Sequence, residues 1–160
     1  MNIFFLDYSP DVCAQSMVDS HVVKMVLETA QLLSTAHRII GSQFANDVYK
    51  PTHVNHPSAV WARARRGNYA WLLEHFNCLA AEFTHRFGKE HKSFNDMFMY
   101  LDLNPVVRQG LDVPLCALPE RLQPKPGYDW ADVVDAYRAY YKTDKTRLHK
   151  YTNRQPPSWL

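Results

Sequence analysis

Glycine and cysteine are scarce in this 160-residue chain, five of the first and three of the second. Five scattered glycines cannot build a glycine-rich loop that cradles phosphates. Cys13, Cys78 and Cys116 are odd in number and far apart, with no Cys-x-x-Cys pair. That is neither a disulfide framework nor a zinc ribbon, and it fits a reducing cytosol. No apolar run approaches the roughly 18 residues a membrane-spanning helix needs, so no membrane partner is expected. Met1 to Pro10 lack a basic flank ahead of an apolar stretch, so no secretory signal is read and a cytoplasmic location is expected. No repeat period is visible.

What is present is the material of an ordinary globular protein: 46% apolar, 13% aromatic and 21% charged residues. The length predicts one domain over residues 1–160, and a monomer is expected. The formal charge of +2 hides an asymmetry. Residues 1–141 carry 13 basic and 15 acidic side chains, whereas residues 142–160 carry 5 and 1. A basic tail on a slightly acidic body points to an anionic partner at one end of the molecule.

Ile3-Phe4-Phe5-Leu6 is a short apolar run, either a strand or a buried anchor, closed by a turn at Asp7-Tyr8-Ser9-Pro10. From Pro10 to about Ile40, Val22, Val23, Val26, Ala30, Leu33 and His37 recur at helical spacing. They predict one long helix ended by Gly41, with a break near Asp19-Ser20 left open. Residues 42–55 read as a loop. Asn55-His56-Pro57 opens a second helical region that runs to Gly88, with Gly67 as the joint between two helices. A shorter amphipathic helix is predicted over 90–103. The five prolines of residues 104–127 predict a long surface loop. A last helix from about Asp129 to Lys142 leads into a basic tail, residues 143–160. The fold expected is mainly α: a single compact helical domain with three to four core helices, a short N-terminal extended segment and a long proline-rich loop.

The informative feature is a polar stripe on the first long helix. His21, Lys24, Glu28 and Gln31 follow one another at intervals of three, four and three residues, which stacks them on one face. Among so many valines and leucines the stripe is expected to be only partly wet. Burial raises a carboxylate's pKa, a neighbouring ammonium lowers it, and desolvation makes a lysine a better nucleophile or base. Lys24 and Glu28, one turn apart, therefore suit a general acid/base pair, or an amine with a carboxylate to move its protons. The plainer account, which spacing alone favours, is a surface ion pair with solvated neighbours.

Asn55-His56-Pro57-Ser58 offers free backbone N–H groups at a helix start, which attract anions. Arg63, Arg65 and Arg66 follow, with Tyr69 and Trp71 beyond them. Arginines among aromatics suit a nucleic-acid strand. A core made of the aromatics and a solvated face made of the arginines explains the same residues equally well. His53 and His56 form a His-x-x-His pair, but no third ligand stands at a recognised spacing, so metal binding is the weaker account and neither a metal nor another cofactor is expected. In the tail, Lys145, Arg147 and Lys150 fit contact with a phosphate backbone.

Two segments carry a resemblance: Asp19 to Leu33, and Asn55-His56-Pro57-Ser58-Ala59-Val60-Trp61 with Tyr69 and Glu82 to Arg86. Together they resemble the pyrimidine-dimer DNA glycosylase family, whose founding member is a phage endonuclease V. The likeness covers about residues 10–90. The chain is also similar to small proteins of marine phage genomes, for which the location would be the host cytoplasm. The resemblance implies a mainly helical enzyme that acts on damaged or modified pyrimidines in duplex DNA, with DNA as its partner. The family's glutamate falls on Glu28 and its basic residue on His21. It further implies attack of an amine on the sugar C1′, a Schiff base, and strand cleavage by elimination. Reaching the sugar implies a kinked duplex and a flipped nucleotide.

In the founding member the amine is the chain terminus on a small residue exposed by removal of methionine. Here Asn2 follows Met1, a poor context for that removal. Three routes stay open: the Met1 amine attacks, Lys24 attacks, or no covalent amine step occurs. Two further readings stand beside the glycosylase: a DNA base-modifying transferase on the same scaffold, and a non-catalytic nucleic-acid-binding or host-inhibiting phage protein.

Overall fold

The computed structural model describes residues 1–160, all helix and connecting segments with no strand. Two helices of 22 residues carry the architecture: α2 (Asp19–Ile40) and α4 (Arg66–Phe87). Around them stand α1 (Pro10–Gln15), α3 (Pro57–Ala64), α5 (Lys92–Leu101) and α6 (Trp130–Asp144), with single 3-10 turns at Glu120–Leu122 and Thr146–Leu148. α2 packs against α3, α4 and α5, and α1 lies on α4.

The opening residues are an anchor, not a strand. Ile3, Phe4, Phe5 and Leu6 are all buried, and the Phe5 ring meets Trp61, Trp71 and Trp130 at 5.2, 5.1 and 5.5 Å between centroids. The long first helix does break, just ahead of Asp19. Val18 is extended and fully buried with Met17, and the Asp19 N–H donates to the tail carbonyl of Lys150 at 2.9 Å. Gly41, at φ 74, takes the left-handed conformation that stops α2.

The joint between α3 and α4 is Arg65, extended at φ −138 and ψ 150, and not Gly67, which lies in the first turn of α4. Gly67 serves close approach instead. A Cβ there would stand 2.5 Å from the Gly110 carbonyl oxygen. The proline-rich segment 104–127 passes directly over this helix start and satisfies it. The N–H groups of Arg66 and Gly67 donate to the carbonyls of Arg108 and Gly110 at 2.7 and 2.8 Å. Trp61 Nε1 donates to Asp112 O, and the Asp112 N–H to Asn68 Oδ1. The segment is thus a strap pinned to the helices. The basic tail is likewise packed. Tyr151 Oη donates to Ser16 O, Thr152 bonds Asp19, and Arg154 forms a two-point pair with Glu82 at 2.9 and 2.6 Å.

Candidate active site

The helical period of α2 sends Val22, Met25, Val26, Thr29 and Ala30 inward and leaves Val23, Lys24 and Leu27 outside. Glu28 falls on the boundary, its side chain 12% exposed. Lys24, 64% exposed, sets its Nζ 3.0 Å from Glu28 Oε1. From the other side the Met1 amine comes to 3.9 Å from Oε2, carried by a side chain only 3% exposed. That distance is an electrostatic pairing and exceeds a hydrogen bond. One carboxylate therefore stands between two amines, one in solvent and one at the end of a packed residue.

The terminus reaches α2 because its neighbours are fixed. Asn2 Nδ2 donates to Ala117 O at 3.0 Å, Tyr137 Oη donates to Asn2 Oδ1 at 2.9 Å, and the Ala117 N–H donates to Tyr137 Oη at 3.1 Å. Neither Asn2 nor Tyr137 stands out in the sequence, since contacts across more than a hundred positions leave no local pattern.

His56 caps α3, its Nδ1 accepting the Ser58 N–H at 3.2 Å. In the neutral ring the proton is therefore on Nε2. Burial lowers its pKa first, followed by the charges of the Met1 amine and His53, while Glu28 pulls it upward. His56 thus stands in the field of both members of the pair. Its turn is tied down on all sides. The Thr52 N–H donates to Thr35 Oγ1, and Arg63 Nη1 donates to Val54 O and Ala59 O, both at 2.8 Å. His53 holds a left-handed φ of 47 with Nδ1 2.8 Å from Thr52 Oγ1, and Asn55 is exposed beside it.

The other expected site residues divide. Gln31 is half-buried one turn beyond Glu28. His21 is not on the wet face: the N-terminal segment covers it. Its ring stacks on Phe4 at 4.2 Å and its Nδ1 lies 2.5 Å from Tyr141 Oη. Burial lowers its pKa to about 4, helped by Lys145 and Lys24. Tyr69 is a core residue, completely buried, with its hydroxyl donating to Leu101 O at 2.7 Å and 2.9 Å from His37 Nε2. It has no surface to offer a base. Arg63 holds the His53–His56 turn, and Arg65 pairs with Asp112 at 3.2 Å, so both already serve the fold. Arg66 is exposed. Arg147 and Lys150 are exposed too, while Lys145 lies 4.8 Å above the Tyr140 ring.

Chemically, an amine beside a carboxylate suits nucleophilic attack on an electron-poor carbon. The carboxylate opposes the positive charge that develops there and moves protons. A family model described as pyrimidine dimer DNA glycosylase matches residues 1–96. Among curated proteins and among solved structures, nothing matches. No helix of the protein is long and apolar enough to cross a membrane.

Proposed function

This chain belongs to the pyrimidine dimer DNA glycosylase family, and from that premise we propose that it excises damaged or modified pyrimidines from DNA through the Met1 amine, with accompanying lyase action. One observation carries the reading: the Glu28 carboxylate lies between the Met1 amine and Lys24. Of the two amines, the Met1 amine is the one held in place for attack: it sits on a side chain only 3% exposed, whereas the Lys24 side chain is 64% exposed.

The nitrogen lone pair attacks C1′ while the bond from C1′ to the base breaks. The base leaves with that electron pair and takes up a proton. Glu28 opposes the positive charge that builds on the sugar. The nitrogen then gives up a proton, and its lone pair opens the bond from C1′ to O4′. A proton on O4′ completes a protonated Schiff base. Removal of a C2′ proton by Glu28 expels the 3′-phosphate with the electrons of its C–O bond. Water releases the sugar remnant and restores the amine. Lys24, Arg66, Arg147 and Lys150 are exposed cations suited to phosphates.

The test is borohydride trapping on a duplex with an abasic site, comparing wild type, Lys24→Ala and Glu28→Gln, followed by mass mapping of the adduct. An adduct on the Met1 peptide that survives Lys24→Ala supports the reading. An adduct on Lys24 overturns the choice of nucleophile. DNA bound without any adduct overturns the amine chemistry and favours a monofunctional or base-modifying enzyme.

A further inference from the structure

We infer that Asn2 and Tyr137 are positioning residues for this reaction, holding the amine against Glu28 through a closed ring of three hydrogen bonds. The inference rests on the function proposed above. A chain terminus is a poor place to carry a nucleophile, because end residues fray unless they are tied down. Misplacing a reacting group by about 1 Å costs on the order of a hundredfold in rate.

The ring supplies what the terminus lacks. Asn2 donates to Ala117 O, Ala117 donates to Tyr137 Oη, and Tyr137 donates back to Asn2 Oδ1, at 3.0, 3.1 and 2.9 Å. Within the ring each of the three residues gives one hydrogen bond and takes one. The Asn2 amide and the Tyr137 hydroxyl each donate and accept through a single polar group, so the bonds on either side of each strengthen one another. Asn2 Oδ1 also accepts the Ile3 N–H at 2.8 Å, which fixes the backbone on the far side of Asn2. Tyr137 is fully buried, and burial pushes its phenol well above the ordinary value, so it stays a donor. The Phe4 and Phe5 rings stand edge-on to it at 6.1 and 5.8 Å between centroids.

The amine is therefore fixed at two points. One is the packed side chain of Met1 and the other is the amide of Asn2, a single peptide unit away. Ala117 and Tyr137 both lie beyond residues 1–96, the part that matches the family model. The C-terminal third thus governs where the nucleophile stands.

The experiment separates rate from binding. Tyr137→Phe keeps the ring's packing and removes its hydroxyl. Asn2→Leu removes the amide and keeps a large second residue, so that the methionine ahead of it is retained, as intact mass verifies. Tyr128→Phe is the control, because its hydroxyl also bonds the proline-rich strap, at Pro114 O, without touching Asn2. Trapping rates at saturating enzyme on abasic-site DNA are expected to fall about tenfold or more in the first two variants, with Kd within roughly twofold of wild type. Tyr128→Phe is expected to trap at the wild-type rate even where its melting temperature drops. Should Tyr137→Phe fail to fold, Asn2→Leu carries the test. An adduct formed by wild type and equally fast by the ring variants overturns this inference alone. No adduct with wild type overturns the proposed function and this inference together.

Discussion

Glu28 occupies a position that a surface ion pair does not need. Its carboxylate is mostly covered, yet it faces two cations, Lys24 at 3.0 Å and the Met1 amine at 3.9 Å. Glu28→Gln keeps the shape and removes the charge. Turnover is expected to fall by roughly a hundredfold to a thousandfold, the loss typical for removing one preorganised electrostatic contact from a transition state. DNA affinity is expected to stay equal or rise, since a negative charge near phosphates is gone. Single-turnover kinetics beside a binding isotherm reads both, and a matched fall in affinity would contradict the role. Tyr69 makes the opposite case. Its hydroxyl joins α4 to Leu101 O and His37 inside the core. Tyr69→Phe should lower unfolding free energy by about 1–3 kcal/mol, the cost of stranding buried polar partners, and leave DNA affinity unchanged. Urea unfolding and a binding titration together distinguish this from a DNA-stacking role.

At the scale of elements, Gly67 shows how a helix start and a connecting segment depend on each other. Gly67→Ala would drive a Cβ to 2.5 Å from Gly110 O, and backbone on both sides cannot retreat like a flexible side chain. The variant should lose about 1–3 kcal/mol, as overpacked sites do, measured as a lower urea midpoint. The same residue shows what the sequence could tell. The helices were legible because apolar periodicity is local, and α2, α4, α5 and α6 lie close to where it puts them. Gly67 reads as a joint because glycine usually marks one, and nothing nearby announces Gly110 above it. The polar stripe was legible as spacing, and it does place Lys24 and Glu28 together. Its His21 end was not, since Phe4 and Tyr141 cover that turn from 17 and 120 positions away. Met1 and Glu28 could each be named from sequence, but their meeting depends on Asn2, Ala117 and Tyr137.

The whole molecule is closed by its tail, and that closure has an acid limit. Arg86, with a fully buried side chain, donates to Glu82 Oε1 at 2.7 Å, to Asp19 Oδ1 at 3.0 Å and to Gln15 O at 3.0 Å. Arg154 and Thr152 bring the tail to the same two carboxylates. Desolvation would raise both carboxyl pKa values. Hydrogen bonds from Thr152 and Arg86 to Asp19, and from Arg154 and Arg86 to Glu82, outweigh it and lower them. This contribution is fully present above the ordinary carboxylate range and is lost as pH falls through the lowered values. A second set titrates earlier. Burial lowers His21, His37 and His75 from 6.5 to about 4, so the folded protein keeps them neutral where the unfolded chain is already protonated. Their contribution is complete above about pH 6.5 and is lost progressively towards pH 4. Each proton taken up only by the unfolded chain tilts stability by up to about 1.4 kcal/mol per pH unit. Acid loss should therefore come in two stages, a decline between pH 6.5 and 4 from the histidines and a further fall below it from Asp19 and Glu82. Urea midpoints measured from pH 8 to pH 3 would read both stages. His75→Gln, which removes one of the three titrating rings, should flatten only the first. A stability profile level from pH 6.5 to 4 would mean that these rings are protonated in the folded protein, and the packing around Phe4, Tyr69 and Trp71 would then not be as described.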